Sequence, residues 1–146
     1  MSRLGPPVVL TGHPGVGEVA EGEALVSTDG FSARYDLDRT TGRISRASHP
    51  LFGRSIAGKV LICPVAKGGF ATSWALHDLR ARGLAPAALI FGWANPVMVQ
   101  GAVLAGLPLM DQLVPDPVAA VATGDWVRVD PKAGRVEVWR RSPAAT

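Results

Sequence analysis

A strand, a glycine turn and a helix follow one another without interruption between Val60 and Leu79. The first six residues are apolar and rich in β-branched side chains, Lys67-Gly68-Gly69 breaks this pattern, and residues 71–82 have a helical periodicity that ends at Gly83. A helix begins with unpaired N–H groups and the positive end of its dipole, so the turn is a candidate site for a carboxylate or phosphate. The glycines could equally serve only to turn the chain, because a glycine pair after a strand is a weak signal.

A second strand and helix follow the first pair. Residues 86–91 are apolar, and Asn95-Pro96 supplies the N-cap residue and the first-turn proline of a helix that closes at Gly106. Further extended segments are predicted at residues 18–28, 107–109, 118–122, 126–130 and 135–139, the last two forming a hairpin. Strands that flank a βαβα unit and end in an antiparallel hairpin predict an α/β domain with a mixed, barrel-like sheet.

A doubly wound nucleotide-binding fold is disfavoured. The glycines of Gly12-His-Pro-Gly-Val-Gly17 do not match Gly-x-Gly-x-x-Gly, and no helix follows them. The chain has 146 residues, 47% of them hydrophobic, and is therefore expected to form one domain over residues 1–146. Charged residues make up only 18%, which is low for a fully solvated surface and favours a partner subunit.

The charges and the single cysteine exclude several classes of function. The net charge is +3, but the cations are scattered without a basic-aromatic run, so we expect no nucleic-acid partner. Cys63 alone cannot form an internal disulfide, and it lies within an apolar strand, where a buried thiol is expected. The N-terminal apolar run is too short for a signal peptide or a membrane span, which predicts a cytoplasmic protein with no membrane contact.

A long polar loop and Phe70 suggest contacts beyond the domain, whereas two tryptophans do not. Residues 30–42 form a polar excursion that we expect to pack on a partner, together with the side bearing His49 and the glycine turn. Trp126 and Trp139 are expected to pack in the core. Phe70 follows the glycine turn and is predicted to contact substrate or a partner subunit.

Six ordered blocks of the sequence resemble one known family. The chain is similar to the small subunit, or swivel domain, of the aconitase X family over about residues 18–140. The blocks are Gly22–Ser27, Thr41–Ile44, His49–Val60, Leu76 with Ala85–Leu89, Gly101–Asp111 and Thr123–Asp125.

The resemblance implies a swivelling β/β/α domain, similar to the mobile domain of aconitase, docked on a large subunit that holds an iron or iron–sulfur cluster. It also implies a hydro-lyase active only in that heteromer. The expected substrate is a small hydroxy acid, foremost cis-3-hydroxy-L-proline, with phosphomevalonate as the alternative. A non-catalytic small-molecule binding or interaction module is a further alternative.

Dehydration of a hydroxy acid requires removal of a proton beside a carboxylate and expulsion of hydroxide, which a Lewis-acidic metal assists. None of the three histidines pairs with another ligand at close spacing, so we expect no metal site and no retained iron in this chain alone. The chain can instead supply an anion-binding surface at residues 68–72 that faces the metal. The predicted catalytic residues are Lys67 and Ser73, and the predicted substrate-binding residues are Gly68, Gly69, Phe70, Thr72 and His49.

The chain departs from the family pattern at the glycine turn. The family commonly has Arg-Gly-Ser-Ser there, and a serine in that loop resembles the residue credited with taking the substrate proton in aconitase. This chain has Lys67-Gly68-Gly69-Phe70, and Ser73 comes one turn later. Either the catalytic base is Lys67, Ser73 or a group of the large subunit, or the substrate differs from those of the familiar family members. Local roles remain open as well: a helix-capping hydroxyl for Ser73, a solvated cation for Lys67 and an ordered turn residue for His49.

Overall fold

The computed structural model describes residues 5–33, 35–67 and 70–141. In chain order the elements are β1 (Val8–Thr11), β2 (Ala20–Val26), β3 (Leu37–Asp38), β4 (Arg43–Ile44), β5 (Val60–Val65), α1 (Phe70–Ala81), β6 (Ala88–Trp93), α2 (Pro96–Ala105), β7 (Leu109–Asp111), α3 (Pro117–Ala120), β8 (Trp126–Asp130) and β9 (Arg135–Trp139). None of the helices in these ranges is long and apolar enough to cross a bilayer.

Seven strands form one mixed sheet in the order β1-β9-β8-β2-β5-β6-β7, which confirms the predicted α/β class. β2, β5, β6 and β7 are parallel to one another, whereas β1, β9, β8 and β2 are joined by antiparallel pairings. The parallel half needs the crossover helices α1 and α2, and the antiparallel half is built around the β8–β9 hairpin. β3 and β4 form a separate two-stranded ribbon.

Side chains alternate along the strands between two hydrophobic clusters. In β5, Leu61 and Cys63 pack in a cluster with the helices and the segment 31–56, whereas Val60 and Ile62 face the opposite side. The second cluster takes buried side chains from all seven strands of the large sheet. β5 is therefore buried on both faces, which explains why its sequence is a continuous apolar run without alternation.

The two edges of the large sheet meet near the N-terminal glycines. Val16 and Leu109 exchange backbone hydrogen bonds of 3.0 Å each, and Thr11 and Val114 exchange bonds of 3.0 and 2.8 Å. A Cβ at Gly15 would lie 2.1 Å from the Leu109 carbonyl oxygen, so only glycine permits this approach. The glycines between residues 12 and 17 thus join the sheet edges, a structural role for a segment that was discounted as a nucleotide site.

The structure differs from the sequence analysis at four places. The segment 118–122 was predicted to be extended, but Asp116 caps the short helix α3 by accepting from Val118 N–H at 3.1 Å. β1 was not predicted. Trp126 and Trp139 are only half-buried, because alternation in the hairpin gives the core positions to the valines between them.

The fourth correction concerns the segment 30–42, which we expected to need a partner for burial. Phe31, Ala33 and Leu37 instead join the domain's own core, and Asp36 is also buried. The prediction that this segment needs a partner for its burial is therefore wrong.

Candidate functional site

The carboxyl ends of four parallel strands meet at one edge of the sheet, and the candidate functional residues lie there. Ser27 and Asp29 follow β2, Lys67 follows β5, and Asn95 follows β6. The helices α1 and α2 begin at the same edge, and neither has an acidic residue in its first turn. Such an edge is where open parallel sheets usually bind ligands, because helix N-termini and loops converge on it.

Lys67 is held at this edge by both its backbone and its side chain. Its N–H donates to the Phe31 carbonyl at 2.9 Å, and its Nζ donates to Asp29 Oδ1 at 3.2 Å. The Lys67 side chain is 47% exposed, so the ammonium also faces solvent. Lys67 is therefore an oriented, partly exposed cation that forms an ion pair with Asp29, and not an isolated surface lysine.

Asp29 is the centre of an ion-pair network that sequence reasoning did not identify. Its Oδ1 accepts from Gly30 N–H at 2.8 Å as well as from Lys67, and its Oδ2 accepts from Arg46 Nη2 at 3.0 Å. Arg46, then Lys67, then the Gly30 N–H hold the pKa of Asp29 well below its usual range. These three contacts therefore stabilise the ionised form of the Asp29 carboxyl group.

Arg46 connects this exposed carboxylate to a buried one. Its Nε donates to Asp36 Oδ1, while Asp36 Oδ2 accepts from Ser32 N–H at 2.9 Å. Hydrogen bonds to Asp36 and then Asp29 raise the pKa of Arg46 above its ordinary value. Two carboxylates and two cations therefore balance one another across the loop that follows β2.

His49, a predicted substrate-binding residue, lies beneath this loop with its side chain fully buried. Its Nδ1 accepts from Leu51 N–H at 3.1 Å, which leaves the proton on Nε2, and Nε2 donates to the Gly30 carbonyl at 3.0 Å. Both ring nitrogens are thus used within the domain. These contacts give His49 a role in fixing the 29–30 loop, and direct substrate contact by His49 stays a prediction.

Ser73, a predicted catalytic residue, lies in the first turns of α1 and contacts α2. Its Oγ donates to the Val97 carbonyl at 2.8 Å. A Cβ at Gly101 would lie 2.7 Å from that Oγ, so the two helices approach closely at this point. The Ser73 hydroxyl therefore bridges two helices, a role that the sequence did not suggest, and its use as a base stays a prediction.

A largely apolar groove of about 420 Å³ opens between α1 and α2 beside Ser73. It is lined by Ser73, Trp74, His77, Gln100 and Leu104. Trp74 is 70% exposed and Leu104 is 67% exposed, and the ring of Trp74 meets that of His77 edge-on at 6.2 Å. Large apolar side chains this exposed, grouped beside the start of a helix, are typical of contact surfaces.

Four predicted substrate-binding residues lie wholly or partly outside the described part of the chain. Gly68 and Gly69 lie outside the described residues. The backbones of Phe70 and Thr72 belong to α1, but their side chains lie outside the description. Their roles therefore stay predictions.

The described part of the chain contains no group of three or more His, Cys, Asp or Glu side chains placed to hold a metal ion. Cys63 is buried in the apolar core, and burial raises the pKa of its thiol. A thiolate ligand is thereby disfavoured at this position. The residues that the structure describes do not fit an iron centre.

The fold and the edge together define a class: a mixed α/β domain that presents a cation and two helix N-termini at the carboxyl edge of its parallel strands. Residues 9–138 match the family model of the aconitase X swivel domain. The chain belongs to this family, as its six sequence blocks predicted.

Individual relatives within this family show which of its members the chain resembles. It is 39% identical over 129 residues to the phosphomevalonate dehydratase small subunit of Methanocella arvoryzae, covering 88% of this chain and 98% of that one. It is 42% identical over 118 residues to the protein of the same name from Methanothrix thermoacetophila, covering 81% and 85%. The holo-form crystal structure of Thermococcus kodakaraensis aconitase X matches with a TM-score of 0.85 and 35% identity, over 91% of this chain and 99% of that one.

The chain is thus similar to small subunits of an aconitase X-like dehydratase. These relatives are named for phosphomevalonate, the alternative substrate of the sequence analysis, and not for hydroxyproline, which was our first expectation.

Proposed function

We propose that this chain is the small subunit of a heteromeric hydro-lyase that removes water from a phosphorylated hydroxy acid of the phosphomevalonate type. Its relatives in several archaea carry that name at 36–42% identity over most of both chains. The similarity extends over most of the chain and is not limited to one motif, which supports the assignment. The hydroxyproline alternative has no comparable support among these relatives.

Within this enzyme, the carboxyl edge of the chain binds an anionic group of the substrate. One observation carries this part of the proposal: the Lys67 ammonium is oriented at the edge and half exposed, beside a helix whose first turn has no acidic residue. An anion placed there gains a charge-assisted hydrogen bond from Lys67 and the favourable end of the α1 dipole. The chain thereby orients the substrate for chemistry performed across the subunit boundary.

The iron or iron–sulfur cluster belongs to the large subunit in this proposal, since the described residues of this chain do not fit such a centre. The large subunit docks on the face that carries the α1–α2 groove, which lies beside the first turns of α1.

The test is co-expression of the chain with its large subunit, followed by an assay of water loss from phosphomevalonate and from cis-3-hydroxy-L-proline by mass spectrometry. We expect turnover of the phosphorylated substrate by the complex and by neither subunit alone. Turnover of hydroxyproline alone would contradict the proposed substrate. A stable complex that dehydrates neither compound would favour a non-catalytic binding module.

Lys67→Met tests the anion-binding edge. Loss of one charge-assisted hydrogen bond, worth about 1.5–3 kcal/mol, predicts a fall in kcat/KM of roughly 10- to 150-fold. Lys59→Met is the matched control, because Lys59 is also a partly exposed lysine paired with a carboxylate, Glu23, at 3.8 Å on the amino side of β5. Equal effects of the two variants, or none from Lys67→Met, would refute a substrate contact by Lys67.

A further inference from the structure

Asp29 lies next to Lys67 but is itself held by two shorter contacts. Gly30 N–H and Arg46 Nη2 reach its carboxylate at 2.8 and 3.0 Å, whereas Lys67 Nζ lies at 3.2 Å. The Ser27 side chain adds a further restraint by donating to the Asp29 carbonyl at 2.8 Å and accepting from Asp29 N–H at 3.0 Å. Asp29 is therefore the fixed member of the pair, and Lys67 is the member whose orientation depends on it.

The path of the Lys67 side chain also indicates that its orientation depends on the loop that carries Asp29. A Cβ at Gly30 would lie 2.6 Å from Lys67 Cε, so the aliphatic part of Lys67 crosses directly over the loop that carries Asp29. The Gly30 carbonyl is in turn fixed by His49 Nε2. The 29–30 loop thus contacts the aliphatic part of the Lys67 side chain at Gly30 and binds its ammonium group through Asp29.

We infer that Asp29 is a positioning residue for the dehydratase reaction, setting the place of the Lys67 ammonium before the anionic substrate arrives. This inference rests on the proposed function. A free lysine has many rotamers and loses that freedom on binding an anion. Asp29 removes part of this cost in advance, because the ammonium is already confined to the edge. Asp29 does not touch the substrate in this scheme and acts only through Lys67.

Asp29→Asn tests the inference in the co-expressed complex with phosphomevalonate as substrate. The amide oxygen can still accept from Gly30 N–H, but without a negative charge it attracts the ammonium much more weakly. We expect KM to rise by about 3- to 10-fold while kcat changes little, because binding is weakened equally before and during reaction. An unchanged or lowered KM would overturn the inference, and a lowered KM would identify Asp29 as a competitor of the substrate anion.

The same substitution in the Lys67→Met background separates positioning from a structural effect. If Asp29 acts through Lys67, Asp29→Asn adds no further change in KM once Lys67 is gone. An equal rise in KM in both backgrounds would overturn the inference, since the effect would then come from the Arg46 network. Glu23→Gln is the control for the loss of a surface carboxylate that pairs with a lysine, and it should leave KM unchanged.

Failure of this inference can be told apart from failure of the proposed function. If Lys67→Met lowers kcat/KM and Asp29→Asn leaves KM unchanged, the anion-binding edge stands and only the role of Asp29 is refuted. If Lys67→Met has no effect, the anion-binding edge itself is refuted.

Discussion

Replacement of Ser73 by alanine distinguishes a structural hydroxyl from a catalytic one. The structure shows one hydrogen bond at stake, from Ser73 Oγ to the Val97 carbonyl at 2.8 Å in a partly buried position between α1 and α2. A bond of this kind contributes about 0.5–1.5 kcal/mol net. Removal of a single oxygen atom beside Gly101 leaves little empty space. We therefore expect the free energy of unfolding to fall by about 1 kcal/mol.

The measurement is urea unfolding of the isolated chain together with turnover of the co-expressed complex. A loss of about 1 kcal/mol lowers the folded-to-unfolded ratio roughly fivefold and leaves the active complex largely intact. Removal of a general base would instead lower turnover by about 100- to 10,000-fold. A collapse of that size at unchanged stability would refute the structural role and establish Ser73 as the base. Gly101→Ala is a useful companion, because its added Cβ would crowd the same contact and should destabilise the chain by about 1–3 kcal/mol.

Three further predictions follow from the groove, the ion network and the core. Trp74→Glu should weaken or abolish the complex with the large subunit in size-exclusion chromatography, whereas Val19→Glu, an exposed position at the amino end of β2, should not. The pKa of Asp29 is depressed on folding, so its contribution to stability is present above its unfolded value near 3.8 and is lost as the pH falls below it. Asp29→Asn should accordingly flatten the acid limb of a stability–pH curve, and an unchanged limb would contradict this. Cys63 should react with a thiol reagent only when the chain unfolds, and rapid reaction of the native protein would contradict its burial.

The elements that the sequence predicts best are those whose local signals agree with one another. α2 combines an N-cap residue, a first-turn proline and a closing glycine, and Asn95 Oδ1 accepts from Met98 N–H at 2.8 Å as that pattern requires. Asp116-Pro117 has the same start signal, but α3 is only four residues long and ends without a glycine. Its apolar residues therefore suggested an extended segment. β1 is defined by its pairing with β9 at the far end of the chain, which no local pattern indicates.

The same distinction applies to the candidate site. Lys67 could be identified because a cation inside a glycine turn before a helix is a local feature. Asp29 and Arg46 are 17 positions apart in the sequence, and Asp29 and Lys67 are 38 apart. Only the fold brings the loops after β2 and β5 together, so charges that lie far apart in the sequence form one network. The segment 30–42 was misjudged for a related reason, because most of its residues are polar, yet Phe31, Ala33 and Leu37 reach the core.

The ion network is better suited to fixing geometry than to adding stability. Burial of Asp36 has a desolvation cost that its contacts with Arg46 and Ser32 N–H largely offset, so a pair of this kind contributes little net free energy of folding. Its effect is directional: Asp36 holds Arg46, Arg46 holds Asp29, and Asp29 holds Lys67. The chain of contacts runs from a buried carboxylate to a half-exposed ammonium at the carboxyl edge of the parallel strands. An apolar core could supply equal stability, but it could not place a cation there, which supports the proposed role of the network in substrate positioning.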